Sequence, residues 1–340
     1  LTFAPIASGA SSGSLSVTNA VRASTANAET SMQVYAVETA LQGTDSPAAR
    51  ERILRNATDR MRARVAALEQ REETARSAYR TGVSGAGSYL PVLGEVHVRA
   101  GHVQDALETL DDAADQEPLL QDELSNLQAS TYAYTGPLTS EAGSAVYGEA
   151  TAPPVFVAVS DRGMVIAAIR DGTYVRQAVR LDARDGAIGG VNLDAAQDRI
   201  ATLYPWAWAN NGGVSIRSIG TDVFRFQLTH GHGALDSMLD TSSGNVYREI
   251  HTKQLSGLPT RVGYTTSANN TTLLVADTYA GGPLKVEVRN QTGAPLDATV
   301  FVNGTEMGPT GEDGTVWALS PAGTYNVTAE YETEELRVSV

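Results

Sequence analysis

The spacing of apolar residues changes once along the chain, from a helical period to an alternating one. Between residues 28 and 132, apolar side chains recur every three or four positions, as one buried face of a helix requires. Ser46 and Pro47 stand where a helix N-cap and first helical residue belong, and Gly82 interrupts the pattern. The two long segments on either side of Gly82 predict an antiparallel helical hairpin packed as a coiled coil. The pattern predicts helices over 28–42, from 46 to about 80, from 90 to about 114, and from Pro118.

Alternating strand patterns begin after residue 153. Residues 136–153 are rich in Gly, Pro, Ser, Thr and Ala with little periodicity, so they are predicted to be a linker. Short apolar runs separated by turns containing Asp and Gly then fill residues 154–278, with one helical segment starting at Asp194. This middle part is predicted to be an α+β domain with an antiparallel sheet.

The two ends of the chain differ from the middle. Residues 1–27 are mainly Ser, Ala, Gly and Thr and are predicted to be an extended segment. Residues 279–340 show short strands with Gly-containing turns every eight to twelve residues, which predicts a β-sandwich with Trp317 and Tyr325 as core aromatics. The predicted fold class is therefore multidomain α+β, with a helical bundle over 28–135 before the linker.

Residues 194–251 carry a short resemblance to a known family. The segment from Asp222 to Phe226 and the turn from Asp240 to Val246 resemble the PepSY-type small domain, although Ser243 stands where that family usually has Thr. The family is linked to inhibition or escorting of peptidases. The resemblance thus implies a peptidase-regulating or ligand-binding role for this part of the chain.

The C-terminal sixty residues carry a second resemblance. Residues 293–302, 310–317 and 321–328 resemble the immunoglobulin-like sandwiches of the carboxypeptidase-regulatory-like type. Such modules are non-enzymatic spacers or adhesion units. The whole order of parts also resembles exported surface proteins of haloarchaea, which implies a location and an architecture but no activity.

The charge of the chain is strongly acidic. The formal net charge is −14, and Lys253 and Lys285 are the only lysines among 25 basic residues. An acidic surface poor in lysine keeps a protein hydrated in concentrated salt, where the Debye length shrinks to about 3 Å. No basic stripe is present, which argues against nucleic acid or an anionic membrane as a direct partner.

Glycosylation motifs indicate an extracellular location. Thirteen asparagines predict about two N-x-Ser/Thr sequons by chance, whereas six occur and five follow residue 268. Thr-rich strands offer an alternative origin for such motifs. There is no cysteine, so disulfides say nothing about the compartment. The predicted glycosylation sites are Asn56, Asn269, Asn270, Asn290, Asn303 and Asn326.

Membrane insertion and cofactor binding have weak support in the sequence. No run approaches the roughly 20 apolar residues that span a bilayer. Residues 1–10 read like the end of a secretory signal, so we expect that a leader has been removed and that any membrane anchor lies outside this chain. No glycine-rich phosphate loop or dinucleotide motif occurs, and no cofactor is predicted.

Two small groups of residues are candidates for a site. His230 and His232 would place two imidazoles on one face of a strand and could bind zinc or manganese, but Gly231 and Gly233 favour a turn that separates the rings. Trp206 and Trp208 could form a platform for carbohydrate or peptide, or could close the edge of a core.

These observations predict a non-enzymatic, salt-adapted and N-glycosylated protein of the cell surface. Its role is predicted to be structural or interactive, with other envelope proteins or the chain itself as partners. The alternative is a peptidase-regulating or ligand-binding module in residues 194–251. A metal-dependent enzyme at His230 and His232 is the least favoured hypothesis.

Overall fold

A computed structural model describes residues 7–11, 16–149, 155–185, 190–321 and 323–340. Parts of the predicted N-terminal segment and linker, at 1–6, 12–15 and 150–154, lie outside the described residues. The described chain forms a helical layer, a central antiparallel sheet and a C-terminal β-sandwich. The predicted multidomain α+β class is confirmed.

The helical layer comes from the first part of the chain. Three of its helices begin with proline at the first position, where the missing N–H costs no hydrogen bond. The Ser46 side chain accepts a hydrogen bond of 3.4 Å from the amide of Ala49, so it caps the longest helix as its sequence predicts. The helices are α1 (Val17–Gln42), α2 (Pro47–Arg80), α3 (Ala86–Ala113), α4 (Pro118–Thr131) and α5 (Pro137–Tyr147).

The first part of α1 and the whole of α5 occupy regions for which the sequence predicts no helix. Helix α1 begins at Val17, inside the segment predicted to be extended to residue 27. Helix α5 lies inside the predicted linker. Its many small residues resemble a linker, but here they allow a close helix crossing: a Cβ added to Gly94 of α3 would lie 2.7 Å from the amide nitrogen of Gly143.

The central sheet has eight strands, and all neighbours in it are antiparallel. Their spatial order is β1-β2-β3-β4-β8-β7-β6-β5. Asp171 and Gly172 both have positive φ and form the tight turn between β3 and β4. The strands are β1 (Ala7–Ser11), β2 (Val155–Val159), β3 (Gly163–Arg170), β4 (Thr173–Arg180), β5 (Asn211–Ile219), β6 (Val223–His230), β7 (Gly233–Asp240) and β8 (Asn245–Gln254).

One face of the sheet packs against the helical layer. Side chains of α2 and α3, such as Leu68 and Leu93, lie in the same buried cluster as Ile166 of β3 and Tyr247 of β8. The helices and the sheet therefore share one core, whereas the sequence predicts two domains with a linker between them. None of the helices that the structure describes is long and apolar enough to cross a membrane.

The opposite face of the sheet is covered in two halves. Helices α6 (Leu193–Leu203) and α7 (Pro205–Ala209) cover the half made by β5 to β8, where Ile200 packs with Phe226 and Leu235. The C-terminal sandwich reaches the other half, where Trp317 and Leu319 join a cluster containing Tyr174.

The β-sandwich begins earlier than the sequence predicts. Strand β10 pairs with β9 on one side and with β11 on the other, so the sandwich starts at Arg261 rather than at residue 279. Its two sheets have the orders β14-β11-β10-β9 and β13-β12-β15-β16. The strands are β9 (Arg261–Ala268), β10 (Thr271–Asp277), β11 (Leu284–Asn290), β12 (Thr299–Val302), β13 (Thr305–Pro309), β14 (Thr315–Ala318), β15 (Asn326–Tyr331) and β16 (Glu334–Ser339).

The two predicted core aromatics of the sandwich have different places. Tyr325 lies in the sandwich core, as predicted. Trp317 instead faces the central sheet, because successive residues of a strand point to opposite sides and its neighbours Val316 and Ala318 point into the sandwich core. Trp317 therefore joins two parts of the molecule.

Candidate functional site

The structure brings three of the four candidate site residues together. The ring of Trp206, from α7, stacks on His232 with centroids 4.7 Å apart and meets the edge of His230 at 5.1 Å. His230 ends β6 and His232 lies in the turn before β7. Trp206 is 46% exposed, so the three rings form an aromatic surface at one end of the sheet. In the sequence, the tryptophan pair and the histidine pair are separate, and nothing in either indicates that their rings are in contact.

Trp208 does not share this surface. It is partly buried against the cluster formed by α6 and strands β6 to β8. Residues two apart in a helix point about 200° away from each other, so Trp206 and Trp208 cannot face the same side of α7. The two tryptophans therefore do not form one surface: Trp208 closes the edge of a core, which was the alternative, and Trp206 stacks on His232.

The histidine pair lacks the geometry of a metal site. The rings of His230 and His232 are 6.3 Å apart and nearly perpendicular, and Nδ1 of His230 accepts a hydrogen bond of 3.2 Å from the amide of His232. Burial and the nearby Lys253 ammonium lower the pKa of His230. Among the described residues, no group of three His, Asp or Glu side chains could hold a metal ion. The turn expected from Gly231 and Gly233 explains why the two rings diverge.

A buried polar cluster beneath α6 was missed in the sequence. Glu249 of β8 is 1% exposed, and its carboxylate accepts hydrogen bonds of 2.5 Å each from Arg176 and from the hydroxyl of Tyr204. His251, two residues along the strand, lies 3.6 Å from the same carboxylate. An alternating Glu-x-His in a strand covered on both faces is the sequence signal that could have located the cluster.

Charges in this cluster are set by burial and by pairing. Burial alone would raise the pKa of Glu249, but the hydrogen bond and charge of His251 and the Arg176 guanidinium hold it well below its usual range. Burial lowers the pKa of His251, despite the neighbouring carboxylate. Burial and the Glu249 carboxylate raise the pKa of Tyr204.

A charged cleft of about 330 Å³ lies between the helical layer and the sheet. Arg184 crosses it, donating hydrogen bonds to Ser130 at 2.7 Å and to Asn126 at 2.8 Å while its guanidinium lies over the ring of Tyr247. The lining includes Glu69 as well as arginines, so both signs of charge face the opening. The hydrogen bonds of Arg184 tie the two layers together. Because both signs of charge line the cleft, it does not select a ligand of one charge.

Three sequon asparagines gather at the end of the sandwich remote from the central sheet. Asn269 and Asn270 form the exposed turn between β9 and β10, and Asn290 pairs with Thr271 at the end of β11. Gln291 links them, since its amide donates to the carbonyl of Asn270 at 3.1 Å. The Asn269 side chain donates to Glu334 at 2.7 Å, which shows that the β15–β16 turn lies at the same end.

Asn303 and Asn326 lie together at the opposite end of the sandwich. Asn303 is exposed, and its side-chain oxygen accepts a hydrogen bond of 3.0 Å from the amide of Asn326, which is half-buried. Asn303 and Gly304 both have positive φ, as in a two-residue turn between strands. Turn geometry explains the asparagine at 303, but it does not require the exposed Thr305 that completes the sequon.

The geometry of the sandwich agrees with a comparison against protein families. Residues 263–338 match the archaeal fibronectin-III type-like domain. The match supports an archaeal origin and confirms the immunoglobulin-like character of the C-terminal part. Residues 155–259 match a family of unknown function (DUF7094), and residues 3–151 match a domain of unknown function (DUF7096). No curated protein and no solved structure shows significant similarity to the chain.

The fibronectin-III type-like domain thus carries five of the six predicted glycosylation sites. The remaining one, Asn56, is exposed on α2, but the Thr58 of its sequon is buried and its hydroxyl donates to the carbonyl of Leu54. An attached glycan at Asn56 would project from a regular helix. On the fibronectin-III type-like domain the sequons lie in turns and at strand ends, where a glycan meets less protein.

Proposed function

We propose that this protein is an exported, N-glycosylated and salt-adapted component of an archaeal cell envelope with a structural or interaction role. The observation that supports this most is the exposure of sequon asparagines in turns of the fibronectin-III type-like domain, at Asn269, Asn270 and Asn303. Glycosylation requires that the acceptor be accessible, and solvated turns at both ends of a sandwich meet that requirement. A non-enzymatic role remains our prediction.

The charge distribution supports adaptation to salt. The 39 acidic residues outnumber 25 basic ones, and most of the basic residues are arginines. Several arginines make ion pairs between elements, such as Arg71 of α2 with the fully buried Glu95 of α3 at 2.9 Å. Arginine pairs that are shielded from solvent lose less to ionic screening than exposed lysine pairs do.

Mass spectrometry of the protein isolated from its native cells tests the proposal. We expect glycan on Asn303 and on at least one asparagine of the remote end. Substitution of Asn303 itself would also remove its hydrogen bond to Asn326. The sharper variant is Thr305→Ala, which abolishes the sequon but leaves that bond, and should remove the Asn303 glycan alone. Unmodified asparagine at all five sandwich sequons would contradict the proposal.

A second candidate role is peptide or ligand binding by residues 194–251. It is supported by the exposed ring of Trp206, held in place by its stack on His232. Fluorescence anisotropy with labelled unstructured peptides would measure it, and Trp206→Ala should weaken any binding at least tenfold. Equal binding by the wild type and by Trp206→Ala would exclude the Trp206 surface as the binding site. It would also contradict the peptidase-regulating role that the PepSY-like resemblance suggests.

A further inference from the structure

Helix α1 has large apolar residues on its solvent side as well as on its buried side. Its buried face, which includes Ala23, Val37 and Leu41, packs in the helical layer. On the opposite side are large apolar residues that remain open to solvent. Their exposed fractions are 67% for Val17, 58% for Val21, 73% for Met32 and 71% for Tyr35.

These exposed residues form one continuous line. Together with the small exposed residues Ser24 and Ala28 they are spaced by four, three, four, four and three residues. At about 100° per residue, all six fall within an arc of about 80° on the helix. We call Val17, Val21, Ser24, Ala28, Met32 and Tyr35 the outer stripe. A spacing that repeats after 11 residues is typical of helices that pack along their length against another helix.

The outer stripe contrasts with the solvent face of its neighbour. Helix α2 carries 14 charged residues among 34, whereas α1 carries three among 26. Those three, Arg22, Glu29 and Glu38, all lie outside the outer stripe. In a chain with a net charge of −14, an uncharged line that includes two Val, a Met and a Tyr on a solvent-facing helix indicates a surface that is covered in the working protein.

We propose that the outer stripe is the contact between two copies of this chain, with the two α1 helices antiparallel about a twofold axis. An uncharged surface lets two acidic molecules approach without placing like charges opposite each other. Helices that lie on membranes instead carry lysine and arginine along their polar face, and α1 has only Arg22. A second copy therefore fits the chemistry of the stripe better than a lipid surface does.

The order of residue sizes along the stripe favours the antiparallel arrangement. A twofold axis near residue 26 places Val17 opposite Tyr35 of the second copy and Val21 opposite Met32 of the second copy. The same axis places Ser24 opposite Ala28 of the second copy, so the small residues meet at the centre, where the helices approach most closely. A serine hydroxyl inside a helix can donate to a carbonyl of its own preceding turn, so Ser24 can be covered without losing a hydrogen-bond partner. Each surface is then its own complement, as a twofold dimer requires.

The size of the contact sets the expected affinity. The two stripes overlap from residue 17 to residue 35, a length of about 28 Å, and a contact about 10 Å wide buries about 280 Å² on each copy. This total of about 560 Å² lies well below the range of stable complexes, so we expect a weak dimer that dissociates on dilution. Concentrated salt screens the repulsion between two copies of net charge −14 and should favour the dimer.

Sedimentation equilibrium of the full chain in concentrated KCl tests the proposal. We expect a monomer–dimer equilibrium for the wild type and a monomer for the double variant Val21→Glu with Met32→Glu. Both changed residues are exposed, so the variant should keep the wild-type circular dichroism spectrum. The matched control is Val83→Glu, which puts the same charge on a valine that is 81% exposed outside α1 and should leave the dimer intact. A monomeric wild type at every concentration, or a double variant that still dimerises, overturns the proposal.

Cysteine cross-linking tests the orientation, because the chain has no cysteine of its own. In the antiparallel dimer two copies of residue 21 are about 16 Å apart, too far for a disulfide. Val21→Cys and Met32→Cys proteins should therefore cross-link to each other when mixed, but neither to itself. Self-linking of either single variant would overturn the antiparallel arrangement.

A flotation assay tests whether a lipid surface, instead of a second copy of the chain, covers the outer stripe. Vesicles of phosphatidylglycerol should leave the wild type in the soluble fraction, and flotation of a monomeric protein that is abolished by the double variant would assign the stripe to lipid and overturn the dimer. These measurements need no glycan. The inference deepens the interaction role proposed above, but its failure would leave the glycosylation result unaffected.

Discussion

The hydroxyl of Tyr204 donates a hydrogen bond of 2.5 Å to the carboxylate of Glu249 and so ties the end of α6 to strand β8. The same carboxylate accepts a hydrogen bond from Arg176 on the neighbouring strand. Three elements thus meet at one buried anion. Removal of that anion takes a buried charge partner away from the partly buried Arg176.

We predict that Glu249→Gln destabilises the protein by about 3 kcal/mol or more, the usual cost of breaking a buried ion pair. Chemical denaturation at pH 7 measures the change. Glu287→Gln is the matched control: Glu287 also lies in a strand between two cations, Lys285 and Arg289, but its ion pairs are partly exposed. It should cost less than about 1 kcal/mol. Equal losses in the two variants would contradict the role of burial.

The lowered pKa of Glu249 also predicts that the free energy of unfolding depends on pH in the acid range. The folded state holds the pKa of Glu249 below its usual value, so the unfolded chain takes up a proton first as the pH falls. The stabilisation is present above the unfolded pKa of about 4.3 and is lost as the pH falls below it. The free energy of unfolding should therefore drop less steeply between pH 5 and pH 3 in Glu249→Gln than in the wild type. Parallel curves would refute this assignment.

A second pH dependence arises at His97, in the interface between α3 and α5. Burial lowers its pKa to about 4, and its Nδ1 lies 3.2 Å from the hydroxyl of Thr139. The unfolded chain binds the proton near pH 6.5, so the folded state loses stability as the pH falls from 6.5 toward 4. We expect a loss of about 3 kcal/mol over that window, most of which should be absent in His97→Gln. Thermal melts at intervals of half a pH unit would show it.

The crossing of α3 and α5 predicts opposite results for two glycines of one helix. A Cβ on Gly94 would overlap the backbone of Ala142 and Gly143, whereas nothing lies within 4 Å of a Cβ on Gly101. Gly94→Ala should destabilise the protein by several kcal/mol, because a backbone cannot move aside as a side chain can. Gly101→Ala should stabilise it by up to about 1 kcal/mol. A neutral effect of Gly94→Ala on the melting temperature would mean that the helices are not in this contact.

The sequence predicted those elements that show one strong periodicity. Helices α2 and α3 each carry a single apolar face and were predicted, as were the short strands between Gly-containing turns. Helix α1 was predicted only from residue 28, since its apolar residues lie on two opposite faces, and α5, which is rich in small residues, was not predicted. The periodicity of a segment does not show which other helix or strand will cover each of its faces.

The candidate site was likewise predicted only as far as local sequence patterns allow. The His230 turn was predicted from its glycines, but the stack of Trp206 on His232 joins residues 26 positions apart and depends on how α7 docks. The cluster around Glu249 depends on strand register, which pairs Arg176 with His251. Register is fixed by burial of whole strand faces, and no short motif encodes it.

The junction between the sandwich and the central sheet supplies the last prediction. Trp317 packs in the cluster that contains Tyr174 and Leu258, so truncating it should loosen the sandwich from the sheet without unfolding the sandwich core. We expect Trp317→Ala to lower stability by about 2 kcal/mol, less than for a fully buried Trp, and to speed trypsin cleavage at the exposed Arg261. Trp206→Ala removes an exposed tryptophan from the surface and serves as the control, with unchanged cleavage. If both variants are cleaved at the wild-type rate, Trp317 does not hold the two parts together.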